Sequence, residues 1–113
     1  MSIVMSCGSG EMEIGADIAK AMQSTHQKHI GKTSVRQMMA VVAASSLMIS
    51  NSSGQMHVAD AFNVRMVAIF GPSEHTTTSP WGSNSQILRN PVVCSPCMLR
   101  HCPIENRCME RVS

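Results

Sequence analysis

Tyrosine is absent from this 113-residue chain, tryptophan occurs once and phenylalanine twice. Charge is also sparse: nine basic and seven acidic residues leave a net +2, too little and too scattered for a nucleic-acid or anionic-membrane patch. No long hydrophobic run exists. The longest, residues 38–49, is broken by Ser45 and Ser46 and is too short to cross a bilayer. No basic stretch precedes the first apolar residues, so a signal peptide is not expected. The five cysteines are odd in number and four crowd near the end, unlike a secreted disulfide framework. These absences point to a cytoplasmic chain of one domain with a modest core.

What is present alternates between short apolar strands and helices. Residues 2–5 read as a strand closed by Gly8-Ser9-Gly10. Over residues 11–23, Ile14, Ile18, Ala21 and Met22 recur at helical spacing, with Glu11 and Glu13 in the first turn. Residues 26–32 form a polar connection with room for one very short strand. Ser34 and Gln37 make a capping box ahead of the stripe Val35, Met38, Met39 and Val42. Residues 47–50 read as a buried strand, 54–62 as a short helix and 66–70 as another buried strand. In that helix Val58, Ala61 and Phe62 are expected inward and Asp60 on the opposite side. Strands apolar on both faces and alternating with helices imply a parallel sheet covered on two sides, an α/β fold. Residues 73–84 are expected to be an exposed loop, 86–88 a strand, and the tail to hold one helical turn near Met109.

The strand, the small-residue turn Ser52-Ser53-Gly54 and the helix after it present free backbone N–H groups at a helix start. That arrangement suits a phosphate or diphosphate. Spacing alone leaves an ordinary ligand-free N-cap equally open, because Ser is a favoured cap. His57 alone reads as a helix-flank histidine bonded to a carbonyl, and Glu11 as a carboxylate favoured by the macrodipole. Cys94, Cys97, Cys102 and Cys108 give Cys-x2-Cys-x4-Cys-x5-Cys, enough thiolates for zinc or an iron–sulfur cluster. The irregular second pair favours reduced thiols packed to fix a loop, with no metal. Cys7 is expected as a small buried hydrophobe, and the eleven methionines mostly as core.

Four ordered blocks carry a family resemblance: Lys32-Thr33-Ser34; residues 50–59, SNSSGQMHVA; residues 67–73, VAIFGPS; and the tail Cys94-Ser-Pro-Cys97, Cys102-Pro103, Arg107-Cys108-Met109. Over roughly Ile3 to Met109 the chain resembles glycosyltransferase family 9, the ADP-heptose:lipopolysaccharide heptosyltransferases, many of which carry a similar cysteine-rich segment. The resemblance implies part of the C-terminal lobe of a GT-B glycosyltransferase, a Rossmann-like parallel sheet flanked by helices. Residues 1–89 would be an incomplete sugar-nucleotide-binding lobe, with the cysteine-rich residues 90–113 packed on it. That lobe's first strand and the N-terminal acceptor lobe, which supplies the general base, fall outside the match. No catalytic residue is therefore implied, and a fragment or remnant inactive by itself is expected.

Carried over residue by residue, Ser53 and Gly54 match the family turn whose amides face the donor diphosphate, and His57 matches a histidine one turn on. Thr33 sits where the family lines the adenine pocket, and Glu11 matches an acidic residue on the ribose. Ser52 stands where the family usually has a sugar-contacting Asp. Gln55, in the same turn, and Arg65 each replace a common Pro. The implied partners are ADP-heptose or a related sugar nucleotide and, through the acceptor lobe, the lipopolysaccharide core. No cofactor and no nucleic acid are implied, and membrane contact would be at most peripheral, at the inner membrane. The alternative is a non-catalytic cysteine-cluster module holding zinc or iron–sulfur, or a degenerate remnant.

Overall fold

The computed structural model describes residues 2–23, 26–110 and 112. Their order is β1 (Ile3–Cys7), a 3-10 turn (Ser9–Glu11), α1 (Met12–Ala21), β2 (His26–Ile30), α2 (Val35–Ala43), β3 (Met48–Asn51), α3 (Gly54–Ala61), β4 (Met66–Phe70), a single helical turn α4 (His75–Thr78) and β5 (Ser85–Arg89). The chain divides into two compact units, residues 1–41 and 42–113, with the boundary inside the last turn of α2.

In the first unit β1 and β2 pair in parallel, Ile3 opposite His26 and Cys7 opposite Ile30. Glu11 ends the 3-10 turn and its Oε2 accepts the Gly8 amide at 3.2 Å, so its carboxylate serves the helix start. Helix α1 does not bury the stripe its periodicity suggested. Gly15 and Ala19 are the buried positions, whereas Ile14 and Ile18 are 63% and 51% exposed. The buried face of the helix is thus made of small residues, and the bulky stripe lies outside it. The capping box of α2 forms as expected: the Ser34 amide donates to Gln37 Oε1 at 2.8 Å and the Gln37 amide to Ser34 Oγ at 3.2 Å. Of the α2 stripe only Val42 is buried, and Val35 is exposed. Cys7 is half-buried, its thiol donating to the Glu11 carbonyl at 3.6 Å, rather than a closed core residue.

The second unit is built on a parallel three-stranded sheet of order β3-β4-β5. Asn51 stands opposite Ile69, and Phe70 opposite Arg89. Met66, Ala68 and Phe70 on one face of β4 are buried together with Met56 and Ala59 of α3. The inward face of α3 is thus Met56 and Ala59, one turn apart; Ala61 is exposed and Phe62 is 44% exposed. This departs from the Val58, Ala61, Phe62 face expected from the pattern. Met56 is flexible enough to fill a core and Ala59 small, and Phe62 already lies in the C-cap. Asn63 then takes a left-handed φ of 56°, its amide bonding the Asp60 carbonyl at 2.9 Å and the Val64 amide the Ala59 carbonyl at 3.0 Å. That pair of bonds is a Schellman stop, with Asn substituting for the usual Gly. Asp60, expected on the side opposite Val58, Ala61 and Phe62, accepts the Trp81 and Gly82 amides at 2.9 and 3.0 Å and holds the loop before β5.

The segment expected to be pure loop contains α4, capped by Glu74, whose Oε1 accepts from the Thr76 amide at 3.0 Å and the Thr76 hydroxyl at 2.7 Å. Those bonds, and then the neighbouring His75 and Arg89 charges, hold the Glu74 carboxyl below its ordinary value. Among the described residues Met56 and Met66 are the methionines of the core, fewer than expected.

Among the described residues β1 pairs only with β2, and β3 only with β4, so each sheet keeps an unpaired parallel edge. Ile49 on β3 and Leu47 just before it are more than half exposed, so that edge is a template for another strand, and the exposed Ile14 and Ile18 of α1 add apolar surface. The isolated chain is expected to self-associate, with a sedimentation coefficient rising with concentration. A single non-associating monomer that unfolds cooperatively would contradict this.

Candidate functional site

Three parallel strands ending in register send three segments out of the same end of the sheet: residues 52–53 after β3, 71–74 after β4, and 90 onward after β5. In open α/β sheets ligands bind at this end. Ser53 is the N-cap of α3 in extended backbone (φ −143°, ψ 171°), yet its hydroxyl caps no helix amide. It lies instead 3.4 Å from Ser50 Oγ, while Ser50, itself buried, donates to the Asn51 carbonyl at 2.9 Å. The first closing bond of the helix runs from the Met56 amide to the Ser53 carbonyl at 3.1 Å. Among the described residues none accepts a hydrogen bond from the Gly54 or Gln55 amide. Two donors at the positive end of an eight-residue helix are thereby left open.

Of the residues singled out from the sequence, Ser52, Ser53, Gly54, Gln55 and His57 are brought together at this helix start. Gly54 and His57 are exposed and the other three half-buried. Glu11 and Thr33 belong to the first unit, Glu11 at the start of α1 and Thr33 half-buried in the turn before α2.

The loop after β4 forms the neighbouring rim. Gly71 is buried, and a Cβ there would run into Met109 Sδ and stand 3.1 Å from Met109 Cγ. Ser95 Oγ donates to the Gly71 carbonyl at 2.7 Å, and the Cys97 and Met98 amides both donate to the Pro72 carbonyl, at 3.1 and 2.8 Å. Beyond this loop Arg89 Nη1 lies 3.0 Å from His75 Nδ1, which is 3.8 Å from Glu74 Oε1. No local pattern announces these contacts, because each joins residues 14 or more positions apart except the adjacent Glu74–His75 pair. Gly71→Ala is expected to cost about 1–3 kcal/mol through overpacking, read as a lower melting temperature.

All five cysteines are free; Cys108 is buried and Cys94, Cys97 and Cys102 are exposed. The expectation of packed thiols therefore holds for Cys108 alone. Among the described residues no three His, Cys, Asp or Glu side chains are arranged to hold a metal ion, so the cysteine-cluster module finds no support. No helix among the described residues is long and apolar enough to cross a membrane. An open groove of about 350 Å³ lined by Leu47, Arg65, Asn84 and Gln86 lies at the opposite end of the sheet, away from the α3 amides.

The family model of glycosyltransferase family 9 (heptosyltransferase) matches residues 1–107. The chain belongs to glycosyltransferase family 9. Lipooligosaccharide heptosyltransferase 2 of Campylobacter jejuni serotype O:6 is 32% identical over 113 residues, covering 96% of this chain and 36% of that protein. Lipopolysaccharide heptosyltransferase 2 of Escherichia coli K12 is 31% identical over 91 residues, 77% of this chain and 26% of that protein. The solved structure of the E. coli ADP-heptose lipopolysaccharide heptosyltransferase II superposes with a TM-score of 0.74 at 28% identity, over 83% of this chain and 30% of that one. A family 9 glycosyl transferase from Veillonella parvula gives 0.70 at 27% identity, over 75% of this chain and 25% of that one. The chain spans about a third of the length of the Campylobacter relatives. Its α/β fold with parallel strands and flanking helices is that of these GT-B heptosyltransferases.

Proposed function

We propose that this family 9 chain supplies the donor-binding part of a heptosyltransferase that moves heptose from ADP-heptose to the lipopolysaccharide inner core. The observation that carries the reading is the pair of open amides, Gly54 and Gln55, at the start of α3. Hydrogen-bond donors fixed by the helix need no reorganisation as negative charge grows on the departing diphosphate. A neutral diphosphate ester oxygen gains little from them, whereas the ADP leaving group gains charge during transfer, so the donors favour the transition state over the bound donor. Ser53 and Gly54 would face the diphosphate and His57 and Gln55 flank it. Ser52 would meet the sugar.

Transfer would be inverting, with the base that deprotonates the acceptor hydroxyl coming from an acceptor lobe. Residues 1–89 would form the nucleotide-binding part and residues 90–113 its cysteine-rich covering. The enzyme would work in the cytoplasm, with at most peripheral contact with the inner membrane. A chimera tests this: the matching segment of a complete heptosyltransferase is replaced by this chain and assayed for heptose release from ADP-heptose onto core acceptor. Turnover above that of an acceptor-lobe-only control is expected. A folded chimera with no transfer and no ADP binding would sink the reading.

A further inference from the structure

The tail, residues 90–110, carries no helix or strand, and Cys108 is its buried residue. It is nonetheless pinned to the loop after β4 by Ser95 on Gly71, by the Cys97 and Met98 amides on Pro72, and by the Glu74 amide on Met98 Sδ at 3.1 Å. Cys94, Cys97, Cys102 and Cys108 all line one cavity of about 120 Å³ above that loop, together with Arg100 and Arg107. The donor-binding reading makes no use of these thiols.

They are not equivalent. Cys108 is wedged near Gly71, and burial pushes its thiol up, keeping it protonated and unreactive. Cys102 Sγ accepts the Asn106 amide at 3.4 Å. Cys94 and Cys97 are exposed, three positions apart, and share the cavity wall with Arg100. Arg107 is engaged by Glu105 at 3.1 Å, whereas Arg100 has no ion-pair partner among the described residues. An unpaired guanidinium beside exposed thiols draws in a carboxylate-bearing reagent.

We propose that Cys94 and Cys97 form a reversible thiol–disulfide exchange site for small anionic disulfides of the glutathione type, and that its closure tightens the tail's hold on residues 71–74. One cysteine thiolate attacks a sulfur of the small disulfide. That S–S bond breaks, and the expelled thiolate takes up a proton. The second cysteine thiolate then attacks the protein sulfur of the mixed disulfide, forming the Cys94–Cys97 bond and releasing the second small thiol. In sum the two protein thiols lose two protons and two electrons, and the small disulfide gains them. Ring closure restricts Cys97, whose amide holds the Pro72 carbonyl. Its bearing on nucleotide binding rests on the functional reading above.

The test exposes the whole chain to glutathione disulfide, quenches by alkylation and maps tryptic peptides. Cleavage after Arg89, Arg100 and Arg107 separates residues 90–100, with Cys94 and Cys97, from Cys102 and Cys108. Peptide 90–100 should lose two hydrogens, escape alkylation and recover with dithiothreitol, while Cys102 and Cys108 stay alkylatable on unfolding. In Cys94→Ser and Cys97→Ser the remaining thiol should stop at the mixed disulfide. Hydrogen exchange of the Gly71, Ser73 and Glu74 amides should slow in the closed form. Both thiols still alkylated, a persistent mixed disulfide in the unaltered chain, or a link to Cys102 or Cys108 would overturn the site. Unchanged loop exchange with the disulfide formed would overturn the tightening. Neither readout uses a nucleotide, so failure here is separable from failure of donor binding.

Discussion

Gly54→Pro is expected to leave the fold intact and to weaken ADP binding by about one to two powers of ten. Gly54 is the first residue of α3, where the missing Pro N–H costs the helix nothing, since that amide has no intrahelical acceptor. Ser53 before it is already extended, as a residue preceding proline must be, and a Cβ built at Gly54 meets nothing within 4 Å. Lower entropy of the unfolded chain should even stabilise the variant slightly, by about 0.4–1 kcal/mol. What the substitution removes is one of two donors aimed out of the helix, and a hydrogen bond to a charged group is worth about 1.5–3 kcal/mol. Calorimetry with ADP on the chimera, beside its melting curve, separates the two effects. Unchanged affinity in a folded variant would show that this amide faces no diphosphate. A Gly54→Ala control, which keeps the amide, should bind nearly as the parent does.

The second large effect is a gain. Ser52 is half-buried just after β3, at the position where the family resemblance implies a sugar-contacting Asp. A hydroxyl offers a single oxygen, whereas a carboxylate offers two acceptor oxygens and a full charge to sugar hydroxyls. Ser52→Asp in the chimera should therefore raise heptose transfer roughly tenfold or more, the value of about 1.5–3 kcal/mol for a charged hydrogen bond. The gain should appear with ADP-heptose and not in affinity for ADP alone, which lacks the sugar. Equal or lower turnover, or an equal change in ADP affinity, would remove the sugar contact from this position.

How much of this could be read beforehand differs element by element. Strand β4 came out at Met66–Phe70 as expected, because a short apolar run between Arg65 and Gly71 has no competing reading. The Ser34–Gln37 capping box was legible because both partners lie within one turn. Helix faces were not. In α1 and α3 the buried positions are the small ones, Gly15, Ala19 and Ala59, joined by Met56, and hydrophobic period alone points to the larger residues beside them. Which face is buried depends on the partner surface, which the helix's own pattern does not contain.

The tail shows the same limit. Four cysteines suggested a metal by count, but whether thiols converge depends on the loop they lie on, and that loop is fixed by Ser95, Cys97 and Met98 reaching back to Gly71 and Pro72. Helix α4 escaped because Glu is a poor N-cap on average, whereas Glu74 serves here by gathering both Thr76 donors. At the helix start of α3 the small-residue turn was legible, and its position at the carboxyl end of a parallel strand followed from alternation. The diversion of the Ser53 hydroxyl to Ser50, which leaves the amides open, is a three-dimensional fact that no spacing rule contains.

Those amides are the point on which everything functional turns. Nitrogen-15 NMR of this chain titrated with ADP, and separately with adenosine, reads them directly. The Gly54 and Gln55 resonances should move with ADP and stay still with adenosine, since only the diphosphate brings negative charge to the start of α3. Equal shifts with both, or with neither while resonances elsewhere respond to ADP, would place the nucleotide's diphosphate somewhere other than this helix.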